Sequence, residues 1–375
     1  MLEDILRDEG GRVLATLIRL TGDIDLAEEA LQDALVAALQ SWTREGIPQN
    51  PGAWLTTVAR NRALDHLRRE AKRRQKETEA LLSFVPGHGD DRLQLIFTCC
   101  HPALSLEARV ALTLRLVAGL TTADIGRLFL QPETTVAQRI TRAKKKISVA
   151  RIPYRIPSDH ELPDRMRGVL AVVYLIFTSG HHAHEGSLDS RFDLAEEGVR
   201  LGRMLVALMP DDAEAHGLLA LMLSTHARRR ARLDAHGNQV LTAHQDRSIW
   251  DLEAAAEASR LLERALRRRR AGPYQIQAAI SCLHSLAPCD LETDWPQILA
   301  LYDLLSSRHP TPVVAVNRAV ALSKVAGPEV ALASIERVRG VEKWLSFGQP
   351  ERISCASLLA RKKLPTPTDR RLLSR

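Results

Sequence analysis

Hydrophobic residues recur at helical spacing along nearly the whole chain, and the alternation of apolar and polar residues that is typical of strands is almost absent. Residues 1–75 predict three helices, at about 2–20, 24–43 and 51–73. The loop TREGIPQNPG separates the second helix from the third, because its glycines and prolines interrupt the pattern. A second helical block runs from 92 to about 149. We therefore expect an all-α fold.

Two breaks in the pattern predict the domain boundaries. Residues 76–91 lose helical periodicity and end in VPGHGDD, and RIPYRIPSDHELP, at 151–163, carries three prolines. We take these two segments as linkers. The predicted domains are then 1–75, 92–150 and 164–375.

The last of these domains reads as a series of paired helices. Proline or aspartate marks many of the helix starts, and small residues stand where helices would approach closely. The series resembles tetratricopeptide-type helical hairpins with a degenerate repeat. The segment DAHGNQVLTAHQD, at 234–246, interrupts it and predicts an ordered loop or a short hairpin.

Charge and cysteine content limit the partners and the compartment. The formal net charge is +7, and basic runs such as Lys144 to Lys146 favour a polyanionic partner. Five cysteines, scattered along 375 residues, do not suit a disulfide framework and indicate a reducing cytoplasm. The start MLEDILRDEG lacks a signal peptide, and the longest apolar run, at 169–177, is too short to cross a bilayer. We expect a cytoplasmic protein with no membrane partner.

The segment GLTTADIGRLFLQPETTVAQRITRAKKKI, at 119–147, predicts a helix-turn-helix. Thr121 or Thr122 suits the N-cap of a short helix that ends near Phe129. Pro132 ends that helix and suits the start of the next one. The turn carries Leu130 and Gln131 where a glycine is more usual. The apolar face of the second helix consists of Val136, Ile140, Ala143 and Ile147.

The opposite face of this second helix has the chemistry of base recognition. Glutamine pairs with an adenine edge, arginine pairs with a guanine edge, and a threonine methyl packs on thymine. Lysines at the far end would neutralise phosphates and set the register. The candidate DNA-binding residues are Thr134, Thr135, Gln138, Arg139, Arg142 and Lys145. A basic surface helix without a DNA partner remains the alternative for this segment taken alone.

The first block adds two helices of opposite charge. The second predicted helix has an acidic face, which suits a protein partner, formed by Glu28, Glu29, Gln32 and Asp33. The third helix has a basic, amide-bearing face beside a polar loop, as separated DNA strands would need. Its candidate residues are Trp54, Arg60, Asn61, Asp65, Arg68 and Arg69.

Three segments, in this order, resemble the extracytoplasmic-function group of bacterial RNA polymerase sigma factors. They are AEEALQDALVAALQSW, NPGAWLTTVARNRALDHLRR and the helix-turn-helix. The resemblance covers about 1–157. It implies that region 2.2, at 27–42, binds the β′ clamp helices of core polymerase, and it makes the β and β′ subunits and promoter DNA the expected partners. Regions 2.3–2.4, at 54–69, would open and read the −10 element, with the loop 43–52 as the pocket for a flipped base. Region 4, at 92–150, would read the −35 element.

The resemblance extends to a subgroup with a long tetratricopeptide-like C-terminal extension. The segments that carry it include DDRLQLIFTCCHPALSLEARVALTLRLVAGLTT, QDRSIWD, GPYQIQAAI and PVVAVNRAVAL. One departure is FTSGHHAHEG at 177–186, where relatives carry Asn-Glu-Gly-Tyr after the phenylalanine. We expect the extension to regulate the protein in cis, either by masking the sigma domains or by anchoring on polymerase.

Other functions fit the sequence less well. A one-component DNA-binding regulator with a helical sensor is the alternative, but it leaves the two helices of the first block without a role. CCHP at 99–102 and HHAH at 181–184 do not have zinc-ligand spacing. Nucleophile-elbow, phosphate-loop and dinucleotide motifs are missing. We expect no catalytic residue, metal or cofactor. QDRSIWD predicts a helix N-terminus with a buried tryptophan or, alternatively, a contact between the extension and the sigma domains.

Overall fold

The computed structural model describes residues 2–71, 91–181, 194–232, 234 and 240–335. Within these ranges every regular element is a helix, which confirms the all-α prediction. The contacts divide the chain into two compact units. The first unit holds the described residues up to Gly180 together with 194–201, and the second unit holds His181 and the described residues from Gly202 onward.

The first unit begins with three mutually packed helices, α1 (Leu2–Thr21), α2 (Ile24–Glu45) and α3 (Pro51–Ala71). The Asp23 side chain caps α2 by accepting hydrogen bonds from the backbone N–H groups of Asp25 and Leu26. The buried face of α2 consists largely of alanines, which let the neighbouring helices approach closely. Near the far end of α2 the Trp42 and Trp54 rings pack edge to face, with centroids 5.3 Å apart.

Four further helices follow in this unit: α4 (Arg92–Cys99), α5 (Leu106–Leu112), α6 (Thr122–Leu128) and α7 (Glu133–Val149). The chain continues from α5 into a π-helical turn, Thr113–Val117. Large apolar side chains, Phe97 and Leu114 among them, are almost fully buried here. Helices α6 and α7 form the predicted helix-turn-helix.

The segment after α7 packs on α1 within the first unit. Ile152 is 8% exposed, Pro157 is buried, and the Tyr154 hydroxyl donates to the carbonyl oxygen of Ala15 at 2.9 Å. Helix α8 (Leu162–His181) continues this packing, because Arg165 donates to the carbonyl oxygen of Phe97 at 2.7 Å. The sequence assigns 151–163 to a linker and α8 to the extension. The prolines of 151–163 indicate only where a helix breaks. The proposed domain boundaries stay predictions.

The second unit is a succession of packed helices. Helix α9 (Leu194–Leu208) begins in the first unit and ends in the second. The helices that follow are α10 (Ala213–His226), α11 (Leu252–Leu266), α12 (Pro273–Leu286), α13 (Trp295–Arg308), α14 (Pro312–Ala326) and α15 (Pro328–Ile335). Helix α10 packs on α11 and α12, and each later helix packs on the next. This arrangement confirms the predicted helical-hairpin domain.

Polar groups fix the helix ends of this unit. The Glu214 carboxylate accepts from the backbone N–H groups of Tyr274 and Gln275, at 3.0 and 3.1 Å, at the start of α12. In QDRSIWD, Asp251 caps α11 and the Arg247 guanidinium lies 4.6 Å from the centre of the buried Trp250 ring. These contacts agree with a helix N-terminus beside a buried tryptophan. Of 234–246, residues 235–239 lie outside the described part, and 242–244 form a 3₁₀ turn.

Candidate polymerase and promoter interface

The turn of the helix-turn-helix is fixed by local hydrogen bonds and by one glycine. Thr121 and Asp124 cap α6 reciprocally, each side chain accepting from the backbone N–H of the other at 3.1 and 3.2 Å. A Cβ atom on Gly126 would lie 2.8 Å from the carbonyl oxygen of Gln131, so the turn requires a glycine there. Leu130, at φ 51° and 94% exposed, adopts the left-handed conformation that glycine usually takes.

Burial of one face of α7 orients the other face toward solvent. Val136, Ile140, Ala143 and Ile147 are at most 7% exposed. The exposed candidates are Thr134, Thr135, Gln138, Arg142 and Lys145. Arg139 differs from the other candidates because it is half-buried and donates to the Gln131 side-chain oxygen at 2.9 Å. In this structure Arg139 fixes the turn before α7.

The candidate residues of α3 are exposed to different degrees. Asn61, Asp65 and Arg68 are exposed, and the Arg68 guanidinium lies 3.4 Å from the Asp65 carboxylate. Arg60 is half-buried, and so is Trp54, which uses one side of its ring to pack on Trp42. The Arg69 side chain lies outside the described residues.

The acidic face of α2 is divided between solvent and the interior. Glu29 is 62% exposed and lies 3.7 Å from His66 of α3, and Gln32 and Asp33 are exposed. Glu28 differs from the other three residues, because its side chain is only 13% exposed. The neighbouring α7 and the π-helical turn cover it and supply two cations.

Those cations are Lys144 and Arg115. The Lys144 ammonium contacts the Glu28 carboxylate and lies 2.7 Å from that of Asp25. Arg115 lies 3.0 Å from the second Glu28 oxygen. Burial would lower the pKa of Lys144, but the hydrogen bonds and charges of the two carboxylates outweigh it and raise this pKa. Lys144 is therefore a cation held inside the unit, unlike the exposed Lys145.

A second polar contact joins α1 to the start of α4. The Arg19 guanidinium donates to the Asp91 carboxylate at 2.8 Å, and the Thr16 hydroxyl donates to its other oxygen at 3.0 Å. Asp91 is 7% exposed. Sequence reasoning missed this contact, because Asp91 ends a stretch that reads as a polar linker.

The cysteine and histidine clusters show no metal-site geometry within the described residues. Cys99 and Cys100 are buried, and burial raises the pKa of the Cys100 thiol to about 11 and that of Cys99 well above its usual range. The Cys100 sulfur lies 3.6 Å from the Thr113 hydroxyl. The His182 and His184 positions lie outside the described residues. No described helix combines the length and the apolar character needed to cross a membrane.

Three segments of the chain match known protein families. Residues 5–73 match the family described as Sigma-70 region 2, and residues 94–147 match Sigma-70, region 4. Residues 165–266 match a family of unknown function, DUF6596. An uncharacterized protein of Rhizobium meliloti (strain 1021) is 42% identical over 338 residues, which cover 87% of this chain and 80% of that protein. No solved structure matches the chain. The chain therefore belongs to the extracytoplasmic-function sigma factors that carry a helical C-terminal extension.

Proposed function

We propose that this protein binds core RNA polymerase and directs the start of transcription at promoters that it selects by sequence. One observation carries the proposal. The first unit combines a helix-turn-helix, whose second helix has an exposed base-reading face, with an exposed acidic edge on α2 and a basic α3. Promoter recognition requires the first feature, and attachment to polymerase with strand opening requires the other two.

Helix α7 would read the −35 element from the major groove. Thr135, Gln138 and Arg142 would contact base edges, since their side chains point away from the buried seam. Thr134 and Lys145 would contact the phosphate backbone. Arg139 would act through the turn that it holds with Gln131.

Helix α3 would act on the −10 element and α2 on the polymerase. Asn61 and Arg68 lie exposed on α3, where an amide and a guanidinium could contact unstacked bases and the backbone. Glu29, Gln32 and Asp33 form an exposed polar edge of α2 that fits a basic protein partner, the β′ clamp helices. Catalysis of nucleotide transfer would be left to the polymerase.

The C-terminal extension would regulate these contacts in cis. The support is that α8 and the start of α9 belong to the same compact unit as the sigma helices. A Cβ atom on Gly198 would lie 2.7 Å from the Cβ of Phe177, so α9 packs tightly on α8. A change in the extension would therefore reach the sigma helices through packed helices. A truncation to residues 1–201, which keeps the whole first unit, separates the two modes: higher transcription than the full chain supports masking, and lower transcription supports anchoring.

Replacement of Arg142 by alanine tests the reading of the −35 element. We expect Arg142→Ala to weaken binding of the holoenzyme to a promoter with an intact −35 element by about 1–3 kcal/mol. The effect should shrink when the −35 sequence is scrambled, because the lost contact reads a base. Filter binding or fluorescence anisotropy against both promoters measures this difference. An equal loss on both promoters would assign Arg142 to the phosphate backbone.

A further inference from the structure

Four consecutive arginines form an exposed turn in the second unit. Helix α11 ends at Leu266, and residues 267–270, all arginines, follow it before α12 begins at Pro273. All four are exposed to solvent. We call residues 267–270 the arginine turn. The proposed function gives this turn no role.

Contacts with three neighbouring segments hold the arginine turn in a fixed shape. The Arg268 guanidinium donates to the Asp211 carboxylate at 2.9 Å, in the segment before α10. The side-chain amide of Gln275, in α12, donates to the carbonyl oxygen of Arg270 at 2.9 Å. Arg308, at the end of α13, donates to the carbonyl oxygen of the residue that follows the turn. The turn is therefore a preformed surface whose backbone is held from several sides.

Most of the positive charge of the turn is not neutralised by the protein. Arg268 pairs with Asp211, but the guanidinium groups of Arg267, Arg269 and Arg270 form no ion pair with any described residue. Cations at the C-terminal end of a helix are favourable because of the helix dipole, but this effect falls off within the last turn. Arg269 and Arg270 lie beyond that turn, so the dipole does not account for them.

The backbone of Arg269 is in an unfavourable conformation. Its φ angle is 54°, and its N–H bonds to the carbonyl oxygen of Leu266 at 2.9 Å. Glycine usually takes this left-handed position after a helix, because a Cβ atom makes it costly. Such strained residues occur often at functional sites. Glycine would make the same turn at a lower cost, and what arginine adds is an exposed cation.

Unpaired guanidinium groups are suited to binding phosphate. Their planar array of N–H donors matches two phosphate oxygens, so arginine often forms two parallel hydrogen bonds with one phosphate. Duplex DNA presents one phosphate charge for about every 1.7 Å of its axis, so several neighbouring cations can each meet one. Contacts of this kind add affinity but do not read sequence.

We infer that the arginine turn binds the phosphate backbone of duplex DNA, as a third DNA contact of the chain beside α3 and α7. An acidic protein would offer carboxylates to the same groups. The choice of DNA rests on the proposed function, which brings the chain to a promoter. The C-terminal extension would then strengthen promoter binding whatever the promoter sequence is.

Fluorescence anisotropy of the full chain with a labelled duplex that lacks both promoter elements tests this inference. Affinity would be measured between about 50 and 200 mM salt. The double variant Arg267→Gln, Arg270→Gln should weaken binding by about fivefold or more. The slope of log affinity against log salt should become shallower by up to about 2, one for each lost phosphate contact.

Two further double variants are the controls. Arg203→Gln, Arg318→Gln removes two charges that already pair with Glu257 and Asp303, so the net charge falls equally while the salt slope should stay the same. Arg267→Lys, Arg270→Lys keeps both cations and should keep most of the slope, because each lysine still neutralises one phosphate.

Arg269 gives a separate test, because its charge and its backbone strain can be changed independently. Arg269→Gly should raise the thermal midpoint of the second unit and weaken DNA binding severalfold, since it removes the strain together with the cation. Arg269→Lys keeps the strain and the charge, so both properties should stay close to those of the unchanged chain.

Unchanged affinity and salt slope in Arg267→Gln, Arg270→Gln would overturn the inference. An equal loss in Arg203→Gln, Arg318→Gln would also overturn it, because net charge alone would explain the effect. If the variant lost binding to poly-glutamate but not to DNA, the partner would be an acidic protein. The measurement needs no polymerase, so failure of the chain to bind core polymerase would overturn the proposed function separately.

Discussion

The two compact units hold their helices together by different means. In the first unit, the contacts between the helices of region 2 and those of region 4 include Glu28 with its two cations, Lys144 and Arg115, and the Arg19–Asp91 pair. In the second unit, ion pairs between helices lie nearer the surface, as Arg318 and Asp303 do, whereas hydroxyl groups meet in the interior. The Ser224 hydroxyl, fully buried, donates to Ser281 at 2.8 Å, and Ser285 donates to the Ser224 carbonyl at 3.1 Å. Charged contacts can exchange one partner for another, whereas neutral buried contacts favour one fixed packing.

This difference matches the proposed division of labour. In the proposed function, the first unit binds polymerase through α2 and promoter DNA through α3 and α7. Ionic contacts suit a unit with such charged partners, because they can exchange one partner for another. A regulatory extension needs a constant shape, which the close packing of α10 on α12 supplies. A Cβ on Gly217 of α10 would lie only 2.7 Å from the backbone nitrogen of Gln275.

The largest effect is expected from a substitution that creates a cavity in the second unit. Leu218 is fully buried in α10, so Leu218→Ala should lower the free energy of unfolding of this unit by about 3 kcal/mol. Leu266→Ala, at a position 43% exposed, is the control and should cost less than about 1 kcal/mol. Chemical denaturation followed by circular dichroism measures both. Equal losses would contradict the assignment of α10 to a rigid core.

The next largest effect is a pH dependence of the stability of the second unit, to which His284 contributes. Burial lowers its pKa to about 4, and the nearby Arg228 contributes in the same direction. Because this folded-state pKa lies below the ordinary 6.5, the neutral histidine makes its full contribution to the free energy of unfolding above pH 6.5. That contribution is lost as the pH falls toward 4. Between pH 7 and pH 5 the free energy of unfolding should fall by about 2 kcal/mol from this group. His284→Gln should remove that part of the pH dependence, and an unchanged pH profile would contradict it.

A smaller effect is expected from the contact between Lys144 and Glu28. Lys144→Gln should lower the free energy of unfolding of the first unit by about 1–2 kcal/mol, because Glu28 loses one of its two cations. Lys145→Gln removes the same charge from an exposed position and should cost less than about 0.5 kcal/mol. Denaturation at low and high salt distinguishes them further. If the two variants behave alike, the contact between Lys144 and Glu28 does not stabilise the first unit.

The smallest effect concerns the turn before α7. Leu130 has a left-handed backbone and an exposed side chain, so Leu130→Gly should relieve strain without loss of packing. We expect the first unit to gain roughly 0.5–1 kcal/mol, which a shift in thermal midpoint would reveal. Leu130→Ala keeps the strain and is the control. A gain with alanine as large as with glycine would mean that the backbone is not strained.

The sequence predicts the parts that depend on local spacing and misses those that depend on distant contacts. The buried seam of α7 follows from the positions of Val136 and Ile140 alone, since helical period decides which side chains share a face. Glu28 and Glu29 look alike in the sequence, but only Glu28 is largely removed from solvent, because it meets Lys144, 116 positions away. Tyr154 likewise stands in a proline-rich stretch whose composition suggests a linker. No local pattern records that its hydroxyl contacts Ala15.

Run-off transcription with purified core polymerase tests the central claim most directly. The full chain would be added to core polymerase on a library of promoter templates, with polymerase alone as the control. The proposed function predicts transcripts that start at defined sites only when the chain is present, and that decrease when the −35 sequence is scrambled. Absence of both polymerase binding and defined transcripts would contradict it, and would favour a DNA-binding regulator that acts without joining the polymerase.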